Sequence, residues 1–395
     1  MSAGALMGSS ARRRLRPLFV FEGLYPRGAE RVSLALAGQL DRARFDPRLW
    51  ILRSVDGLDA EMPPDARARP VLNSQERIRH ALAKVPGSLL RAAQQADVIV
   101  ATVEIMPTYL AALAGLLTGT PVVGWVRNSM DQTFADHPNW HLGLSRLIYP
   151  RLPRLVFVSH GAQQTLQGLM PLREERLSVI HNPLNPLHLE AQAAAPLPEW
   201  AGFMEERPVV LGAGRLTRQK GFDLLIQAHA RLRAQGLRHD LLILGEGEAR
   251  PELRALAERL GVEESVHLPG HVVNPYPFMR RAAAFALSSR YEGFANVVTE
   301  ALACGAPVVA TDCPSGPAEI LTGRAGERPG LLVPVNDPGA LAAGLATVLT
   351  DEALARRLRD LGRARALDFA PERVVPRWEA VLQDTARPRR PFAFA

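Results

Sequence analysis

A pair of doubly wound α/β domains is the fold class this chain predicts, and three observations carry it. Short apolar runs alternate with longer segments that place apolar residues at i, i+3 and i+4, and they do so in both halves. At 395 residues the chain exceeds the size at which one hydrophobic core keeps growing. Between the halves, EAQAAAPLPEWAGFMEERP is rich in Ala, Pro and Glu and carries no strand signal. The expected architecture is two Rossmann-like domains facing one another across a cleft. Residues 1–195 form the first and 206–369 the second, with a hinge near 190–206. Residues 370–395 form a C-terminal helix and tail that pack back toward the first domain.

Taken in order, the first half offers PLFVFE, PRLWILR, ADVIVAT, PVVGWVR, RLVFVSH and LSVIHNP as strands, with ERVSLALAGQLDRA and ERIRHALAKV as helices. Arg12 to Arg14 and Arg16 ahead of PLFVFEGL imitate a signal peptide. Glu22 interrupts the apolar run and no small-residue cleavage site follows, so the segment reads as the first strand. YLAALAGLLTGTPVVGWV is broken by Thr118-Gly119-Thr120-Pro121 and reads as helix, turn and strand, not as a membrane span. The second half offers VVLGAGRL, DLLILGEG, SVHLPG, AFALSS, VVATD and GLLVPV as strands. Between them lie the helical patterns GFDLLIQAHARLRAQ, RPELRALAERLG and DPGALAAGLATVLT. The last has Asp337 as N-cap and Pro338 at the first helical position. PERVVPRWEAVLQD closes the chain as an amphipathic helix, followed by a frayed tail, ARPRRPFAFA.

Composition narrows the class. With 47% hydrophobic and 22% charged residues the chain is an ordinary globular protein, neither disordered nor fibrous. Two cysteines, Cys304 and Cys313, give no disulfide framework and point to a reducing, cytoplasmic setting. The net charge of +7 suits nucleic acid or an anionic membrane surface. No zinc-ligand spacing and no aromatics interleaved with a basic run are present, so nucleic acid is not an expected partner. Peripheral contact with the inner face of the cytoplasmic membrane is the expectation that remains.

The chemistry concentrates in Ser288 to Leu321. A buried strand arrives at the turn Tyr291-Glu292-Gly293-Phe294, and a helical pattern starts at Asn296. Gly305 stands where a left-handed C-cap belongs and Pro307 forbids continuation. Glu292 and Glu300 lie eight residues apart across this turn and helix, whose N-terminus offers N–H donors to an anion. The dinucleotide fingerprint is not completed. Gly212 and Gly214 are followed by Thr217 where the third glycine belongs, and Gly245 and Gly247 by Arg250. GRLTRQKG carries Arg215 and Lys220 between a strand end and the next helix, a pairing that suits a diphosphate. Lys84 and Lys220 are the only lysines in the chain. A lysine kept in an arginine-rich sequence fits a site that needs a compact point charge rather than a planar fork.

GRLTRQKGFDLLI followed by YEGFANVVTEALACGAPVVATDCPSGPAEIL resembles the retaining nucleotide-sugar glycosyltransferases of family 4, which have the GT-B architecture. The Arg–Lys pair, the Glu-x7-Glu element and the Ser-Gly-Pro-x-Glu-Ile segment occur in the family's order, and the likeness covers the second half and, more loosely, the first. The resemblance implies that Arg215 and Lys220 hold the donor diphosphate, beside Gly214, and that Glu300 takes both ribose hydroxyls. Glu292 would face the donor sugar, and the N–H groups of Phe294, Ala295 and Asn296 would cap the β-phosphate. Gly270 and His271 would line the base pocket. On the acceptor side it points to the loop holding Arg27 and Gly28, where the family often has two glycines. It points also to Arg127, at a place where a histidine is frequent, with His137 as the other candidate there and His160 as a cleft-lining residue.

Retaining glycosidases need two carboxylates flanking the bond, and only Glu292 is offered near the anomeric carbon, with no Asp-x-Asp metal site by the donor motifs. The expectation is metal-independent, front-face hexosyl transfer from a nucleotide sugar, UDP-linked, to a glycan or lipid-linked acceptor in surface polysaccharide, lipopolysaccharide or glycolipid assembly. No cofactor beyond the co-substrate is expected. The competing readings are a nucleotide-sugar epimerase or hydrolase on the same fold, and a non-catalytic scaffold.

Overall fold

The computed structural model describes residues 13–25, 28–53, 62, 70–72, 84–135, 137–323 and 326–386. Arg27, most of ERIRHALAKV and the tail beyond Ala386 lie outside these residues. The strands are β1 (Pro17–Gly23), β2 (Arg48–Arg53), β3 (Pro70–Leu72), β4 (Val98–Ala101), β5 (Val122–Val126), β6 (Arg154–Phe157) and β7 (Leu177–Val179). There follow β8 (Val209–Ala213), β9 (Asp240–Leu244), β10 (Val266–Gly270), β11 (Ala284–Leu287), β12 (Val308–Thr311) and β13 (Gly330–Val333). The helices are α1 (Gly28–Gln39), α2 (Lys84–Gln95), α3 (Met106–Thr118), α4 (Met130–Ala135), α5 (Trp140–Ile148), α6 (His160–Gln167), α7 (Pro186–Ala193) and α8 (Phe203–Glu206). The remainder are α9 (Phe222–Ala234), α10 (Arg250–Arg259), α11 (Tyr276–Arg281), α12 (Asn296–Cys304), α13 (Pro317–Ile320), α14 (Pro338–Thr350), α15 (Glu352–Ala366) and α16 (Pro371–Thr385).

Two sheets result, ordered β3-β2-β1-β4-β5-β6-β7 and β10-β9-β8-β11-β12-β13. Each starts with the 3-2-1-4 order of a doubly wound sheet, whose topological switch point lies between its first and fourth strands. Among the described residues the strands pair in parallel, which is why they read as near-continuous apolar runs: β4, β5, β9, β11 and β12 are buried at every position. Every strand run named from the sequence forms a strand. β3 is an addition, a three-residue strand on the sheet edge, too short to show alternation. The Ala/Pro/Glu-rich segment is helical over α7 and α8.

By contact the chain divides into two compact units. The first holds residues 1–125, 147–155 and 375–395, and the second 126–146 and 156–374. The C-terminal part of α16 thus belongs to the first unit. There Trp378 packs on Trp125 with ring centroids 4.3 Å apart, and Glu379 accepts from the Asp41 backbone N–H at 2.9 Å and from the Arg44 guanidinium at 2.8 Å.

Capping follows the sequence. Asp337 accepts from the Ala340 N–H at the start of α14, and Gly305 ends α12 with φ 78°. Arg363 lies so close to Gly305 that any side chain there would meet its guanidinium at 2.5 Å. Cys304 and Cys313 are free, buried thiols.

In the second unit, away from the carboxyl strand ends, a buried histidine chain fills the space beside α9. His229 Nδ1 lies 2.9 Å from His239 Nε2, and its Nε2 lies 2.8 Å from Ser265 Oγ. Burial, and then the neighbouring His239, Arg233 and His267, push the His229 pKa down to about 3; burial likewise lowers His239. A base held neutral in the fold takes up protons only on unfolding, so this contribution to stability is whole above pH ~6.5 and is lost as pH falls from there toward 3. The expected slope is about 1.4 kcal/mol per pH unit for such a histidine. Thermal unfolding between pH 7 and 4 should steepen in the wild type and flatten in His229→Gln; equal slopes would dismiss the assignment.

Candidate active site

The two segments singled out by sequence leave neighbouring strands. GRLTRQKG follows β8 and SSRYEGFAN follows β11, and β8 pairs with β11 at the switch point of the second sheet (Val210↔Ala284, Leu211↔Phe285). Ligands of such sheets bind at this crevice, at the carboxyl ends of the strands. Apart from Gly28, all the geometry below lies within the second unit.

The loops are stitched together. The Arg290 N–H donates to the Gln219 carbonyl at 2.8 Å, Gln219 Nε2 to the Tyr291 carbonyl at 3.0 Å, and Ser288 Oγ to the Lys220 carbonyl at 2.9 Å. The Arg290 fork grips both oxygens of Asp223, at 2.8 and 2.7 Å, and its Nη1 also donates to the Arg218 carbonyl. Burial raises the Asp223 pKa, but the hydrogen bond and charge of Arg290 outweigh it and hold the carboxyl below its usual range. Gly221, with φ 61°, permits this approach, since a Cβ there would fall 2.1 Å from the Ser288 carbonyl oxygen.

At the centre, Lys220 Nζ donates to Glu292 Oε1 at 2.6 Å, and Ser289 Oγ donates to the same oxygen at 2.6 Å. Glu292 is 6% exposed, so it is a buried carboxylate oriented by a cation and a hydroxyl. The aliphatic stem of Lys220 runs along Gly214, where a Cβ would sit 3.5 Å from Lys220 Cε. Arg215, by contrast, is exposed.

From the turn the chain enters α12 through Ala295, a non-glycine residue in the left-handed region at φ 61°, ψ 63°, with no side-chain cap. Such backbone costs of order 1 kcal/mol and concentrates at functional sites. It leaves the helix N-terminus beside Glu292 without a capping side chain. Asn296 and Glu300 stand one helical turn apart, on one face and half-buried.

Residues without a motif of their own hold this turn. Asn182 Nδ2 donates to Asn296 Oδ1 at 2.7 Å, and Asn182 Oδ1 accepts from Arg127 Nη2 at 3.3 Å. Ser159 Oγ donates to the Gly293 carbonyl at 2.7 Å. Gly293 lies against the backbone of Arg127, whose carbonyl oxygen would be 1.8 Å from a Cβ. Gly316, at φ 92°, is pressed on Phe294 in the same way. Three residues on, Glu319 accepts from the His160 and Gly161 N–H groups, both at 2.9 Å, and lies 3.3 Å from His181 Nε2. Burial raises the Glu319 pKa, yet these hydrogen bonds prevail and lower it overall. Sequence reasoning missed Asn182, Ser159 and Ser289.

The glycines that failed the dinucleotide fingerprint have another use. A Cβ on Gly245 would meet the Gly214 carbonyl oxygen at 1.8 Å, and one on Gly247 the Leu216 carbonyl oxygen at 2.3 Å. The Gly214 N–H donates to Leu244, and the Gly245 N–H to Gly270, across β8, β9 and β10. Gly214 and Gly270 therefore stand at the ends of strands whose turns are tied to one another, with His271 exposed just beyond.

The acceptor-side candidates divide. Arg127 is buried, with its guanidinium on Asn182 and its backbone against Gly293, so it joins the turn's scaffold. His137 is exposed, with Nδ1 2.7 Å from the Thr133 carbonyl oxygen, and His160 is the exposed first residue of α6. Gly28 is the first residue of α1, in the first unit, rather than part of a loop. Among the described residues no group of three or more His, Cys, Asp or Glu could hold a metal ion.

Comparison with known proteins bears on the family and the fold. Residues 26–186 match the family described as Glycosyltransferase Family 4, and residues 198–365 the family described as Glycosyl transferases group 1. The chain is 30% identical over 273 residues to the Campylobacter jejuni N-acetylgalactosamine-N,N'-diacetylbacillosaminyl-diphospho-undecaprenol 4-alpha-N-acetylgalactosaminyltransferase, covering 67% of this chain and 70% of that protein. It is 37% identical over 157 residues to the Rhizobium meliloti lipopolysaccharide core biosynthesis glycosyltransferase LpsE, covering 40% of this chain and 44% of that one. In fold it is similar to Anabaena HepE, crystallised in complex with UDP-glucose. The TM-score is 0.78 at 22% identity, over 94% of this chain and 99% of that one. The chain belongs to the glycosyltransferases of family 4 and has the GT-B fold.

Proposed function

We propose that this enzyme transfers a hexose, with retention of anomeric configuration, from a UDP-sugar to a hydroxyl of a glycan or lipid-linked glycan in surface polysaccharide, lipopolysaccharide or glycolipid assembly. The observation that carries the reading is the contact of Lys220 with the buried Glu292 beside the uncapped N-terminus of α12. A cation, a helix N-terminus and an oriented carboxylate are what a departing diphosphate and a sugar hydroxyl need side by side. UDP-glucose in HepE, and a diphospho-undecaprenol acceptor in the name of the Campylobacter enzyme, support the donor and acceptor classes.

In this reading Lys220 and the exposed Arg215 take the diphosphate, with Gly214 giving Lys220 room, and the Phe294, Ala295 and Asn296 amides cap its outer phosphate. Glu300 accepts from both ribose hydroxyls, as a bidentate carboxylate can. Gly270 and His271 border the base, and Glu292 receives a sugar hydroxyl beside the anomeric carbon. The acceptor-side residues of the proposal are Arg27 and Gly28, with Arg127 or His137. With no second carboxylate assigned to the far face of the sugar, the leaving diphosphate takes the acceptor proton and substitution proceeds on the front face. Lys220, Arg215 and the helix amides meet the leaving-group charge without a metal, so chelation by EDTA should leave the rate unchanged. The enzyme works in the cytoplasm, held at an anionic membrane by its positive charge.

A panel of nucleotide sugars tests this. One UDP-sugar should raise the unfolding temperature and be hydrolysed slowly, and NMR of the transferred product should show an α-linkage from an α-linked donor. A β-linked product, or stabilisation by no UDP-sugar, would overturn the proposal.

A further inference from the structure

α3 carries its large residues on the wrong side for a helix bathed in water. Its inner face is small: Ala111, Ala114 and Gly115 are buried, and Gly115 sits so close to β5 that a Cβ would meet Val122 at 2.5 Å. Its outer face holds Met106, Leu113, Leu116 and Leu117, which are 37%, 52%, 81% and 62% exposed, with Tyr109 and Leu110 half-exposed between them. Positions 106, 109, 110, 113, 116 and 117 share one side at helical spacing, and the helix contains no charged residue. Single exposed leucines need no explanation, but a continuous ridge of this kind marks an interaction surface.

The charge around the ridge selects the occupant. α2, which packs against α3, exposes Lys84 and Arg91 and contains no acidic residue, while Glu104, just ahead of α3, is buried. An apolar ridge on a helix packed beside one with exposed cations and no acid complements an anionic bilayer, which takes leucines at the acyl boundary and cations among the headgroups. The same cations would oppose one another across a contact between two copies. We infer that the outer face of α3 seats this enzyme on anionic lipid. This rests on the reading of a membrane-held transferase and assigns that contact to particular residues.

The test is co-sedimentation with vesicles of phosphatidylethanolamine and phosphatidylglycerol, against phosphatidylcholine alone. Wild type should prefer the anionic vesicles, and Leu113→Glu/Leu116→Glu should lower its partition at least ~10-fold. Leu113→Ser/Leu116→Ser, which adds no charge, should also lower it. Both variants should keep the wild-type unfolding temperature and its rise with UDP, so that a lost donor site and a lost membrane seat read differently. If wild type ignores anionic vesicles, the membrane reading and this assignment fall together while the donor response stands. If the variants bind like wild type, the assignment to α3 alone falls. A wild-type dimer made monomeric by the substitutions would show the face to be an interface between copies and overturn the proposal.

Discussion

Replacing Lys220 with alanine is expected to slow sugar transfer by ~10²–10³-fold, the usual cost of losing one contact to developing charge. The substitution removes the group 2.6 Å from Glu292 and leaves a carboxylate only 6% exposed without its cation, so a loss of stability is expected as well. The two effects separate in the double variant Lys220→Met/Glu292→Gln, which takes out both charges. It should unfold near the wild-type temperature, and it should remain inactive. Lys220→Arg should keep the ion pair and the stability yet fall short of the wild-type rate, because a planar fork does not fit a place built for a point charge beside Gly214. Steady-state rates and calorimetry on the three variants check this set, and a Lys220→Ala enzyme with wild-type turnover would remove Lys220 from the mechanism.

Gly293→Ala should be nearly as damaging without touching a charge. Its Cβ would lie 1.8 Å from the Arg127 carbonyl oxygen, 2.6 Å from the carbonyl carbon and 2.9 Å from Asn128 Cα, all backbone atoms that cannot rotate away. The Glu292–Asn296 turn must therefore move. Because Ser159 holds the Gly293 carbonyl at 2.7 Å, the strain spreads to α6. Overpacking of this kind costs ~1–3 kcal/mol, and here the displaced atoms belong to the turn proposed to cap the outer phosphate, so stabilisation by UDP should vanish too. Gly143→Ala is the control. Inside α5, with nothing within 4 Å of the added methyl, it should be neutral or stabilising by up to ~1 kcal/mol. Calorimetry with and without UDP reads both outcomes; equal midpoints for Gly293→Ala and wild type would contradict the close packing.

The strands were legible because parallel strands buried on both faces leave unbroken apolar runs. The helix ends were legible where a cap carries its own chemistry, as at Asp337 and Gly305. β3 was not, because three residues on a sheet edge have no period. The motif residues could be named, but the contact between Lys220 and Glu292 could not be read locally. It joins positions 72 apart and depends on β8 and β11 being neighbours, a matter of strand order. Asn182, Ser159 and Ser289 were hidden for a related reason: each is a short polar residue whose meaning appears only when a distant loop arrives. Gly245 and Gly247 misled in an instructive way. They look like a damaged nucleotide fingerprint, yet their lack of a side chain serves the close approach of the β8 and β9 turns.

Lys220 is proposed to meet the diphosphate of a uridine nucleotide at the switch point of the second sheet. Calorimetric titration of wild type and Lys220→Ala with UDP and with uridine tests it most directly. Wild type should bind UDP more tightly than uridine, and Lys220→Ala should weaken UDP ~10-fold or more while leaving uridine unchanged. Equal losses for UDP and uridine, or none for UDP, would contradict it.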